Sequence, residues 1–138
     1  MTKSTVNAAQ FVLHGLAISV FLFSALANAA SDAAIVASTP RAKQFLEDFD
    51  TFTALGKVCR YRQEAISQYY AKEFARLIRL DANRPLADGD VDREVGIALV
   101  AAQMYADQNT KGRRFTSEQC AMARRAIDEV VPRGYDKP

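Results

Sequence analysis

Val58-Cys-Arg-Tyr-Arg-Gln-Glu-Ala-Ile-Ser-Gln-Tyr-Tyr-Ala-Lys-Glu-Phe-Ala-Arg-Leu-Ile-Arg-Leu80 repeats its apolar side chains at spacings of three and four. Val58, Cys59, Tyr61, Ala65, Ile66, Tyr69, Tyr70, Phe74, Leu77 and Leu80 fall on one side of a helix turning about 100° per residue. Such a helix needs other elements to cover that side. Its neighbours in the chain have the same period, and no segment alternates as a half-buried strand would. The expected fold is therefore all-α: a small bundle of about four helices.

Upstream, Ser38 or Thr39 caps a first helix and Pro40 occupies its first position, where a missing N–H does no harm. Ala42, Phe45, Leu46, Phe49 and Phe52 form its stripe, and Gly56 is expected to end it. The second helix is expected over 58–80, and Asp81-Ala-Asn-Arg-Pro85 stops it. A third helix starts near Asp90 and ends near Asp107. Its run Val95-Gly-Ile-Ala-Leu-Val-Ala-Ala102 has little polar face, so it is expected to be the most buried of the four. Thr116-Ser-Glu-Gln119 reads as a capping box opening a fourth helix, which Pro132 stops.

The two cysteines, Cys59 and Cys120, are expected to form one disulfide, closing a loop of about 60 residues. Read this way, both lie in the first turns of their helices, which makes the second and fourth helices parallel and adjacent. In a square bundle those two would sit on a diagonal, about 12–14 Å apart for neighbours packed at 8–10 Å. A disulfide holds Cα atoms about 4.4–6.8 Å apart. The expected core is therefore a triangle of helices two, three and four, with the first helix along its side.

The N-terminal run Leu16–Leu26 is too short for a comfortable membrane span and ends in Ala27-Asn28-Ala29, a pattern of signal-peptidase sites. Residues 1–29 are read as a signal peptide cleaved after Ala29, and 30–38 as a flexible lead-in. Residues 39–131 form the helical domain and 132–138 a flexible tail. The expected location is periplasmic or secreted, where an oxidising milieu favours the disulfide.

The sole histidine, His14, lies in that leader. The processed chain then has no histidine for a catalytic triad, a general base or a metal site, and paired cysteines supply no thiolate. Asp88-Gly-Asp-Val-Asp-Arg-Glu94 lacks the glycine and glutamate that a calcium loop needs at its sixth and twelfth places, and reads as helix capping. No cofactor or metal is expected, and a net charge of +2 points to no nucleic acid partner.

What remains is recognition. On the second helix Arg62, Tyr69, Tyr70, Glu73 and Arg76 bring charges and tyrosines together, a composition that suits binding. The chain is expected to be an exported, non-enzymatic protein that binds an envelope or secreted protein, or an anionic envelope component such as a glycan. Two alternatives are a small carboxylate-dependent cell-wall hydrolase using Glu64 or Glu73, and a membrane-anchored accessory subunit that keeps its N-terminal segment.

Overall fold

Thr39 and Pro40 open the first long helix as their chemistry predicts: the Thr39 hydroxyl accepts from the Ala42 N–H at 3.3 Å, and Pro40 holds the first helical position. The computed structural model describes residues 30–136. Residues 1–29, read from the sequence as a signal peptide, and the last two residues of the tail lie outside the described residues.

Among the described residues the elements are α1 (Asp32–Ala37), α2 (Pro40–Val58), α3 (Gln63–Asp81), α4 (Asp88–Thr110), α5 (Ser117–Val130) and a 3₁₀ turn (Arg133–Tyr135), with no strand. The chain is an all-α bundle closed by one disulfide, Cys59–Cys120, with a Cα–Cα distance of 5.5 Å. The expected four helices are α2 to α5. Arg41 at the start of α2 pairs with Asp81 at the end of α3, and Lys57 at the end of α2 pairs with Asp107 near the end of α4. Thus α2 and α4 run one way and α3 runs the other. The capping box of α5 is complete, with Thr116 and Gln119 each bonded to the other's backbone.

Three expectations about element limits are corrected. The lead-in is a helix: α1 buries Ala33 and Val36 against Phe74, Ile78 and Val91, and Asp32 pairs with Arg84. The tail is structured through residue 136, because Tyr135 packs on Tyr69 and Asp136 binds Arg62. Gly56 does not end the first helix, which continues to Val58. Cys59 is therefore the C-terminal cap of α2, and α3 starts only at Gln63.

This shift also moves the triangle. The three long helices that pack mutually are α2, α3 and α4, and α5 lies along α2. The disulfide joins the end of α2 to the first turn of α5, so it says nothing about a direct α3–α5 contact. The bulk that centres α2 is aromatic. Phe49 stacks on Tyr70 at 4.9 Å between ring centroids, and Phe45 contacts both Tyr70 and Phe74 at 5.3 and 5.8 Å. Phe45 and Leu46 join two buried clusters, one around Phe74 and Ile78, the other around Phe49, Ile66 and Ile127.

Gly56 is needed for a different reason than a helix stop. A Cβ there would lie 2.6 Å from Ile66 Cδ1 and 3.0 Å from the Tyr61 carbonyl oxygen. The chain folds back on α2 at this point, and only a bare backbone allows it. Gly56→Ala is expected to destabilise by about 1–3 kcal/mol through overpacking, despite alanine's better helix propensity. Urea denaturation measures this directly.

A candidate docking face on α4

The turn Cys59–Arg62 carries two non-glycine residues in the left-handed region, Arg60 at φ 48° and Arg62 at φ 45°. Each costs about 1–2 kcal/mol relative to the right-handed form. Arg62 is held there by its side chain, which is only 6% exposed. Its Nε donates to Asp136 at 2.6 Å, one Nη to Asp128 and the Val131 carbonyl at 3.0 and 2.9 Å, and the other Nη to the Pro132 carbonyl at 2.9 Å. Tyr61 and Arg133 also donate to Asp128. Burial pulls the guanidinium pKa down, but the bonds and charges of Asp136 and Asp128 outweigh it and raise the value. Asp128 is lowered: some desolvation opposes, and the Tyr61 hydrogen bond, the Arg133 charge and Arg62 prevail.

Arg62 therefore ties the start of α3 to the chain after α5. Arg62→Met is expected to cost about 2 kcal/mol, from lost charge-assisted bonds and the orphaned Val131 carbonyl, while the Pro132 carbonyl keeps the Tyr135 N–H. Its effect should shrink as the pH falls through the lowered Asp128 value, because that pairing is full only above the ordinary carboxylate range. Thermal melts at neutral and acid pH check both.

The other expected binding residues divide. Tyr70 is buried in the aromatic core, and burial first, then Asp48 and Tyr69, raises its hydroxyl's pKa. Tyr69 is half-buried beside Tyr70 and Tyr135, with Lys72 over the Tyr135 ring at 5.7 Å. Burial and then Glu73 raise the Tyr69 value. Glu73 pairs with Arg76 at 2.8 Å, which compensates charge locally. So Tyr69, Lys72, Glu73, Arg76 and Tyr135 share one surface, whereas Arg62 and Tyr70 support the fold. Arg124 lies over the Tyr61 ring, 5.5 Å from its centroid.

The larger feature is on α4, and it corrects the expectation that this helix is the most buried. Ala98, Ala102 and Ala106 face the core. Ile97, Val100 and Met104 are 58%, 61% and 55% exposed. With Gly96 and Ala101 they form a shallow apolar groove that begins beside Arg93. Spacings of three and four put these residues on one face. The sequence displayed every one of these side chains. It did not display that α1, α2 and α3 cover only one side of the apolar stretch 95–102.

A second cleft, of about 320 Å³, lies between α1, α2 and α4 and holds two carboxylates, Asp50 and Glu94. Burial, then Glu47, raises the Asp50 pKa. Glu64 accepts from Gln68 and Glu73 pairs with Arg76, and neither lines this cleft. Among the described residues no cluster of three or more histidine, cysteine or acidic side chains could hold a metal ion, and no helix is long and apolar enough to cross a membrane.

Compared with known proteins, the chain matches no family model, no curated protein and no solved structure.

Proposed function

We propose that this is an exported, non-enzymatic helical protein that works by binding another protein, and that the apolar face of α4 is where it binds. The observation that carries the reading is the contiguous exposure of Ile97, Val100 and Met104 on one helix. Large apolar side chains grouped in this way mark interaction sites on soluble domains, whereas scattered ones do not. The disulfide suits an oxidising compartment, in keeping with the signal-peptide reading of residues 1–29. An anionic envelope component is less well served, because Glu73 neutralises Arg76 on the surface that would receive it.

The test is a photoreactive amino acid placed at Met104 in living cells, with Arg125 on the exposed side of α5 as control. The expected result is a protein adduct from position 104 and none from 125. Equal, negligible yields from both would overturn the reading. Intact mass of the same sample reports cleavage after Ala29; a full-length chain in the membrane pellet favours the anchored subunit.

The Asp50–Glu94 cleft is the one observation that favours the hydrolase alternative. Asp50 and Glu94 line one cavity, and glycoside hydrolysis uses a pair of carboxyl groups. On the binding reading, Asp50 merely destabilises the fold at neutral pH. Asp50→Asn is then expected to raise the melting temperature at pH 7, with a gain that fades as the pH falls through the raised Asp50 value. Peptidoglycan clearing by the wild type that is lost in Asp50→Asn or Glu94→Gln would establish the hydrolase instead.

A further inference from the structure

We infer that the protein seated on the α4 face is a second copy of this chain, packed antiparallel with its two-fold axis at Val100. This rests on the docking reading of that face and names the partner.

The face is complementary to itself. In an antiparallel pair of helices centred on Val100, each residue meets the one equally far beyond Val100 on the other copy. Arg93 then meets Asp107 of the second copy, at both ends of the contact, so each copy gives one cation and one anion. Gly96 meets Met104 of the second copy. A Cβ on Gly96 would find nothing within 4 Å, so the notch above it is open. The methionine is large, flexible and 55% exposed, and it fits such a notch. Val100 meets its own equivalent. These residues all lie within about 60° of the Val100 direction on the helix. An isologous two-fold contact demands this kind of self-matching, and an unrelated partner would not select it.

The charges permit the arrangement. Arg93 already reaches Asp90 at 3.5 Å and Glu94 at 3.6 Å, and a guanidinium has five donors. Asp107 accepts from Gln103 at 3.2 Å and pairs with Lys57, and a carboxylate has lone pairs to spare. A membrane surface is the poorer occupant. A helix that lies on lipid carries basic residues along its polar margin, whereas this face has Arg93 at one end and Asp107 at the other. One helix pair is a small interface, so the dimer should be weak, in roughly the micromolar range.

The experiment is sedimentation equilibrium on the protein purified in the form the cell retains, from micromolar to millimolar concentration. Dimer formation is expected. Val100→Asp places like charges on the axis and should weaken it roughly a hundredfold, with an unchanged melt at high dilution. Gly96→Leu fills the notch and should also weaken it, although leucine is the better helix former. Arg93→Asp and Asp107→Arg should each weaken association, and the double variant should restore it. A chain monomeric to millimolar concentration overturns the proposal. So does a dimer indifferent to Val100→Asp, or one that the double charge swap fails to restore. Binding of anionic vesicles without self-association would put lipid on the face instead. Monomeric protein that still yields an α4 adduct with another protein in cells refutes only the second copy; loss of both results refutes the docking reading as well.

Discussion

Replacing Cys59 and Cys120 together by serine is expected to lower stability by about 4 kcal/mol, and the melting temperature by about 15 °C. The bridge spans 61 positions of a small domain, so cutting it releases a long loop in the unfolded chain. Its position adds a native-state role. Cys59 caps α2 immediately before the left-handed residues Arg60 and Arg62, and the bridge fixes that turn against α5. Because much of the effect arises in the unfolded state, the denaturant slope should rise as that state expands. An unchanged melt after reduction, with both thiols then free to alkylate, would contradict this role.

Phe49→Ala is expected to cost about 3–5 kcal/mol, the usual range for emptying a buried aromatic site. Phe49 is 1% exposed and its ring stacks on Tyr70, which in turn touches Phe45, Phe52 and Tyr69. The loss therefore falls where α2 and α3 meet. Here the damage is in the folded state, so the midpoint should drop with little change in slope. Phe49→Leu, which keeps most of the volume, should cost far less. Equal costs for the two would mean that this ring is not at the centre of the core.

Local chemistry made part of this molecule legible in its sequence. Thr39-Pro40 and Thr116–Gln119 fix helix starts through bonds made within four residues, and both are found as expected. The disulfide follows from the cysteine count and the expectation of an oxidising compartment. What stayed hidden depends on distant partners. The turn at 59–62 contains no glycine, and one of its left-handed residues, Arg62, is held by Asp128 and Asp136, far along the chain. Misplacing that turn by a few residues assigns Cys59 to the wrong helix and puts α5 in the place of α2 in the central triangle. Gly56 looked like a helix stop because glycine usually weakens a helix; its actual cause is Ile66 pressing on it. The short α1 has too few residues to be stable alone and exists through the burial of Ala33 and Val36.

The candidate site shows the same division. Periodicity found the apolar character of α4 but assigned it to the core, since spacing cannot tell a covered face from an open one. Arg62 stands out in sequence as a charge beside tyrosines, and it finds its partners within the domain rather than outside it. Asp50 and Glu94 were missed, being ordinary acids on amphipathic helices until α1, α2 and α4 close around them.

The chain carries its own control for the α4 face. Met104 on α4 and Met122 on α5 are 55% and 64% exposed, so brief peroxide treatment of a lone domain should oxidise both at similar rates. The decisive measurement is peptide mass spectrometry of methionine sulfoxide after treating the untouched protein in its cell, beside the same protein at high dilution. If the α4 face is occupied, Met104 is spared several-fold relative to Met122 in the cell and loses that protection on dilution. Equal oxidation of Met104 and Met122 in the cell would contradict it.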